Sequence, residues 1–464
     1  MGYNFLPVER DQVFLMPPSL SEWLEEDHLA WFVLDAVEQM DLSAFLAGYR
    51  ADGWGRAAHD PKMMVALTLY AYCIGVRSSR AIERACRVDV AFRVITANQV
   101  PDHATIARFR QRHEQALASV FTESLRLCAQ AGMVKVGLVA VDGTKMGCPA
   151  ALAANRTKSH IDDQVATMLA EAAAVDARED VLFGAGSSGE EPPAQLRGAR
   201  ARRERFAAAK AQLDAAAAKA QADHERHLAE RAAKEEASGR KLRGRKPKPP
   251  PPETDAKANT SDPESRIMKT KDGYVQGYNA QAVATEDQIV VAAEVTDEHN
   301  DQAQLHPMIA ATNQSLADAG IDDDIARLLA DAGYCSEDNL AALNGQDPDC
   351  FIATRNTHRN PEPRCGRRGP LPAEATLVDK MDRKVSKKAG RAVYRKRQHL
   401  IEPVFGQTKD ARGARRFMRR GKSAAQSEWK LLMGTHNLLK LYRQTLTDPR
   451  STPRAPRAWV PATG

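Results

Sequence analysis

Aromatic residues make up only 6% of the 464 positions, and the seven cysteines (73, 86, 128, 148, 335, 350 and 365) are scattered along the chain. No two of them have CxxC spacing, which excludes a clustered thiolate zinc site and a small disulfide framework. No apolar run approaches the roughly 20 residues that a membrane-spanning helix needs. The opening MGYNFLPVERDQ lacks the apolar centre of a secretory leader. A bacterial-type cytoplasmic protein with no membrane contact is the expectation. Strand-like segments are missing from about Asn155 to Ala258, so any sheet must be assembled from either side of that gap. What the chain does have is bulk: 43% hydrophobic residues, enough for a real core, and a length that suggests two to four domains.

Charge is unevenly spread. Lys+Arg 66 against Asp+Glu 60 gives only +6 overall. Between Lys380 and Lys422, however, sixteen Lys/Arg face three acids, Asp382, Glu402 and Asp410. A basic block of this size points to a polyanion such as nucleic acid, and a merely solvated basic surface is the alternative.

Residues 1–135 read as helical. Pro61 opens one helix, where proline suits the first turn. Ser78-Ser79 caps another. Pro101-Asp102-His103 begins a long one predicted to run to about Gly132. With Arg80, Arg84, Arg108, Arg110 and Arg112, these short helices fit a DNA reader, and they fit a plain helical bundle equally well. The stretch 195–238 is mostly Ala, Lys, Arg and Glu, which predicts a long exposed helix or helical hairpin. Basic residues and four prolines, 249–252, then form an extended linker. The whole segment, about 155–258, reads as an insertion in a domain that resumes afterwards. The tail from Thr447 is proline-rich and is expected to be disordered.

The flanking segments carry strand signals. Leu138-Val139-Ala140-Val141 runs into Asp142-Gly143, a buried strand closed by an acid. Tyr274–Val283 and Gln288–Val295 form a hairpin, a helix spans roughly Asp301–Ala319, Ile325–Ala330 runs into Asp331, and Cys350–Thr354 is a last short strand. A mixed sheet with helices on both faces follows, and it sets Asp142 beside Asp331. Glu402 stands in Leu400–Gly406, within the basic block. Each acid alone reads equally as a turn-former. Three close together repel unless a cation neutralises them, and all-oxygen donors suit Mg²⁺ or Mn²⁺. Two such ions about 3.5–4 Å apart promote phosphoryl transfer.

Several stretches, in order over most of residues 60–440, carry a resemblance: Tyr70-Ala71-Tyr72 with Gly75 and Ser78-Ser79-Arg80; Pro101–Thr105 with Phe109-Arg110; Val141-Asp142-Gly143-Thr144-Lys145; Asp262–Arg266; Gly277-Tyr278-Asn279-Ala280-Gln281; Asn300-Asp301 with Pro307-Met308; Ala330-Asp331-Ala332-Gly333-Tyr334; and Ile401–Gly406 with Lys409. The chain resembles bacterial insertion-sequence transposases of the DDE class. The resemblance implies a ribonuclease-H-like α/β catalytic domain over 136–445, an InsH-like all-α DNA-binding domain over 1–135, and strand cleavage and transfer at transposon ends. It implies that Asp142, Asp331 and Glu402 hold two Mg²⁺ ions. Double-stranded DNA, both terminal repeats and target, is the implied partner, bound by a homodimer in the bacterial nucleoid.

Such transposases often place Tyr, Arg, Glu and Lys at fixed steps around the third acid. Lys409 fits that spacing, whereas Tyr394 and Arg397 stand one residue too far from Glu402. Lys145, Tyr394, Arg395, Arg397 and Lys409 are the expected DNA contacts near the site, with Arg80, Arg108 and Arg110 in the helical part. Arg395, Glu402 and Lys409 are seven residues apart and share one face of a helix, kinked at Pro403, if that helix is continuous. A catalytically decayed transposase that only binds DNA, and a nuclease that cuts without joining, are the alternatives.

Overall fold

The structure is a computed structural model that describes residues 19–49, 57–168, 170, 194–241, 246–250, 252, 256–270, 273–343, 348–355 and 369–447. The opening residues and the tail beyond Thr447, for which disorder was expected, lie outside the described residues.

Helices α1 (Leu29–Glu38), α2 (Pro61–Cys73), α3 (Ser79–Val88), α4 (Val90–Ile95), α5 (His103–Arg112) and α6 (Glu114–Gln130) fill the amino-terminal part. Their starts follow local chemistry. Asp60 accepts from the Lys62 N–H at 2.7 Å with Pro61 in the first turn, and Asp102 accepts from the Thr105 N–H at 2.9 Å. The single helix expected from Pro101 to Gly132 is two helices. The chain breaks at His113, whose ring packs against Phe109 and Tyr49 with centroids 4.8 and 5.6 Å away.

Strands β1 (Val139–Gly147), β2 (Asn155–Thr157), β3 (Lys257–Asn259), β4 (Arg266–Thr270), β5 (Gly273–Thr285), β6 (Val290–Thr296), β7 (Arg327–Ala330) and β8 (Asp349–Ile352) build two sheets. The large sheet runs β4-β5-β1-β7-β8, with β6 also paired to β5. The pairs β1–β5, β4–β5 and β5–β6 are antiparallel, whereas β7 is parallel to β1 and β8 to β7. This is the mixed α/β layout expected, with the expected hairpin as β5 and β6. The short strand β4 was not foreseen; Arg266, Lys269 and the exposed Ile267 give it no buried alternation to read.

Two helices lie between the strands in sequence. Helix α7 (Ala194–Ser238) lies in the insertion, and α8 (Leu305–Asp318) follows β6. After β7 come α9 (Glu337–Ala342), α10 (Leu377–Ser386), α11 (Lys388–Arg395), α12 (Arg397–Gly406) and the long α13 (Lys422–Thr447). Helix α13 covers the β6 edge with side chains that satisfy its backbone. Asn437 exchanges two 2.8 Å hydrogen bonds with Val290, and Gln426 donates to the Ala293 carbonyl at 3.0 Å. An otherwise open strand edge is thereby closed.

One continuous core runs from Ala30 through Val139 and Tyr278 to Leu441. The boundary expected near residue 135 therefore does not separate two cores. Buried Arg77 reinforces the join, donating to Glu428 at 3.1 Å and to the Arg416 carbonyl at 2.7 Å. The insertion stands apart. It leaves and returns through the β2–β3 pair, and Ile161, Phe206, Leu213 and Ala258 form a second, small core.

Candidate active site

Strand β1 pairs with β7 only at Val139↔Leu328 and Ala140↔Leu329, while it pairs with β5 along its whole length. Continuing the parallel register by two places sets Asp142 level with Asp331, the residue directly after β7. Asp142 was expected to end its strand. Instead β1 runs on to Gly147, and it is β7 that ends, which opens a notch at the sheet's interior beside Asp142.

The notch is largely buried and rich in like charge. Burial, with Asp331 and Asp301 adding repulsion, pushes the Asp142 carboxyl up to about 6 against the pull of Arg397 and the Gly143 N–H. Burial likewise raises Asp331, opposed by Arg397 and by the Gly333 N–H, which donates to it at 2.8 Å. The guanidinium of Arg397 enters from α12: one nitrogen donates to Asp142 at 2.7 Å and another lies 3.9 Å from Glu402. Burial works against its charge, and Asp142, Tyr394, Asp331 and Glu402 outweigh that. Arg397 thus joins the first and third acids of the expected trio. Glu402 itself is 54% exposed, anchored by Leu400, Ile401 and Val404 on the buried face of α12.

Sequence reasoning assigned no role to Asp301, which stands in the loop between β6 and α8. Its Oδ1 accepts from Asn279 at 2.7 Å and Gln281 at 2.8 Å, and Lys145 lies 3.5 Å away. The Gln281 carbonyl oxygen of the side chain accepts in turn from the Tyr334 hydroxyl. Gly143 makes room for this network, since a Cβ there would sit 2.2 Å from Gln281 Nε2 and 2.5 Å from Asp301. A signal was present: Asn279 and Gln281 are two amides at alternate positions of the apolar, buried part of β5, so both point to one face and need a polar partner there.

The expected DNA contacts divide. Lys409 donates to Thr144 Oγ1 at 2.5 Å and to the Lys145 carbonyl at 2.9 Å, so it braces β1 beside Asp142. Half-buried Tyr394 keeps its proton, its phenol pushed up to about 12 by burial with the site acids adding against Arg397. Arg395, Arg80 and Arg108 are exposed. Arg110 is 6% exposed and donates to the Arg77 carbonyl at 2.8 Å and to Ser79. Its cationic nitrogens serve the helix packing, which corrects the expectation of an open DNA contact. The shared face of Arg395, Glu402 and Lys409 is also corrected. The helix passes through Pro403 without interruption, breaks at Lys396 between α11 and α12, and widens to π-helical turns over Gln407–Ala411. Pro403 costs the His399 carbonyl its helical donor, and Gln288 Nε2 supplies another at 2.8 Å.

Nor is the basic block all surface. Arg383 and Arg412 are buried, and Lys396, Arg419 and Lys422 pair with Glu286, Glu114 and Asp297.

Residues 18–112 match a family described as "Transposase domain (DUF772)", and residues 361–442 match one described as "Transposase DDE domain". The two matches together support an insertion-sequence DDE transposase. The second match contains Tyr394, Arg397, Glu402 and Lys409, whereas Asp142 and Asp331 lie outside both matched ranges. No curated protein and no solved structure matches the transposase. DNA is its partner, and DDE transposases generally use divalent metal ions.

Whether these residues suit such an ion is a question of donors. The notch offers carboxylate oxygens, the hard ligands that Mg²⁺ and Mn²⁺ prefer. Two of them, on Asp142 and Asp331, repel each other in a buried setting that calls for a cation. The buried Asn279 Oδ1 has no hydrogen-bond partner among the described residues. The donor chemistry fits. Among the described residues, no three acids, histidines or cysteines are gathered closely enough to hold an ion as they stand. Arg397 now fills the contact between Asp142 and Glu402.

Proposed function

We propose that this transposase cleaves DNA at insertion-sequence ends and joins the freed strand to target DNA, with Asp142, Asp331 and Glu402 as the acids that hold two Mg²⁺ ions, Mn²⁺ substituting. The observation that carries this reading is the level placement of Asp142 and Asp331 where β7 ends, with Arg397 linking Asp142 to Glu402. Bound divalent ions would supply Lewis acidity at the attacking and leaving oxygens. The protein's own groups do the rest. Lys409 fixes the Thr144–Lys145 segment and so orients Asp142 on β1. Asn279 and Gln281 hold Asp301, which keeps Lys145 at the notch. Tyr394, a neutral phenol, is a hydrogen-bond donor to a strand laid across the site and not a base. Paired ends require two subunits, so the active form is a homodimer on DNA in the bacterial nucleoid.

Asp142→Asn, Asp331→Asn and Glu402→Gln should each abolish metal-dependent cleavage of an element-end duplex. Binding of that duplex in metal-free buffer should persist. Cleavage near the native rate in any one variant removes that residue from the site.

A further inference from the structure

A second site lies away from the acids, in a cleft of about 620 Å³ between the amino-terminal helices and the segment before α13. Its walls include Ser78, Ser79, Arg80, Arg110, Arg419 and Arg420, and among the described residues no acid lines it. Arg80 is exposed and has no ion-pair partner among the described residues. Arg420 is exposed too, its Nε resting on the Pro149 carbonyl at 3.0 Å, and it makes no ion pair among the described residues, Asp262 and Glu264 instead accepting from the backbone N–H groups of Gly421 and Lys422. Arg419 is tied to Glu114.

Two features of the floor call for an anion. Helix α3, ten residues long, begins here, and the side chain of its N-cap residue Ser78 makes no capping bond. The first-turn N–H groups of α3 therefore lack the side-chain acceptor that Asp60 and Asp102 give to α2 and α5, and the positive end of the helix dipole faces the cleft. Beside it Arg110 is 6% exposed, fixed by Ser79 and the Arg77 carbonyl, and its Nε has no acceptor among the described residues. A buried donor without an acceptor is uncommon.

We propose that this cleft is an oxyanion site that seats a phosphodiester of duplex DNA, with Arg80, Arg420 and the α3 N-terminus as donors. The assignment to DNA rests on the transposase reading above. Scale supports it. The cleft includes Pro149, seven residues beyond Asp142 along and just past β1, so no more than about 24 Å of extended chain separates cleft from acids. One turn of duplex is about 34 Å, so a single duplex reaches both. The composite wall would also tie the helical part to the catalytic sheet through the same strand of DNA.

The test uses the full chain, a duplex of arbitrary sequence, and metal-free buffer, because backbone contacts are independent of sequence. Fluorescence anisotropy across a salt series compares wild type, Arg80→Gln/Arg420→Gln, and Asp142→Asn. The double variant should bind more weakly, and its log K against log salt should be less steep by about 0.9 for each phosphate that it no longer neutralises. Asp142→Asn should match wild type in this assay while failing to cut. Its failure to cut bears on the acidic site alone, so the two readings are judged separately. A double variant with wild-type affinity and slope overturns the cleft. Inorganic phosphate is titrated in parallel at constant ionic strength. Saturable phosphate binding that the double substitution removes, with duplex affinity unchanged, marks a site for free phosphate and overturns the assignment to DNA.

Discussion

Asp142 is held in a place unfavourable to its own charge. Its carboxyl is raised from an ordinary 3.8 to about 6, with burial the largest cause. For an acid so raised, the folded state keeps a proton that the unfolded chain has lost. Below about pH 4 both states are protonated and nothing is at stake. Between there and about pH 6 a stability cost accrues, and above pH 6 it is complete, on the order of 3 kcal/mol from a shift of about two units. Asp142→Asn should therefore raise the urea midpoint of the metal-free protein at pH 7.5, and the gain should vanish near pH 4. An equal gain at both pH values would show that the carboxylate is not strained. Stability set aside for a charged site is a common mark of function. At this scale Asp142 and Asp331 were legible because each follows an apolar run. Asp301 was not, because what fixes it are two amides on a different strand. The inward turn of Arg110 was equally hidden, since its partner carbonyl on Arg77 belongs to another turn of chain.

Among elements, the β1–β5 pair governs the site, since β5 carries Asn279 and Gln281 and β1 carries Asp142. The hairpin of β5 and β6, the apolar β7 and β8 and most helices were readable from alternation and caps. The breaks were not: His113 and Lys396 are neither proline nor glycine, so nothing in the residue types marks them. Conversely Pro403 read as a kink, and a side chain from the β5–β6 turn, Gln288, compensates it. Gly277 shows how tightly the central pair is drawn. It stands opposite Gly147, and a Cβ there would lie 1.9 Å from the Met146 carbonyl oxygen. That is backbone, not a movable side chain. Gly277→Ala should cost about 3 kcal/mol or more, and the strain should reach the site as lost cleavage. Gly147→Ala, whose Cβ would come no closer than 3.4 Å to any neighbour, the nearest being Arg416 Cβ, should be mild by comparison. Thermal melts of the two variants decide it: similar melting temperatures would refute the close approach.

At the scale of the molecule, two cores of unequal standing coexist. The large one binds the helices before residue 135 to the sheet and to α13, so the part matching the DUF772 domain and the part matching the DDE domain share an interior. Chain length had suggested several domains with a boundary near residue 135, and a sequence does not reveal which apolar faces meet. The stretch expected to be an insertion carries a small core of its own, in which Phe206 and Leu213 pack with Ile161, Ala209 and Ala258. The strands at its base make the consequence concrete. Thr157 and Lys257 are paired antiparallel neighbours, so their Cα atoms stand about 5 Å apart, and a short Gly/Ser turn can join them in place of 158–256. What the large core would lose is slight: the exposed Lys219–Glu298 pair, 2.7 Å long, is the kind of interaction worth roughly 0–1 kcal/mol. The shortened chain should melt in one cooperative transition close to that of the full protein. Because Glu298 and Asp301 share a loop, the same protein should also show whether α7 tunes the notch: cleavage retained at the native rate makes the insertion a separate attachment, whereas a normal melt with lost cleavage assigns it a part in the site. Insoluble protein, or a broad transition, would show instead that the insertion is part of the fold that holds the acids together.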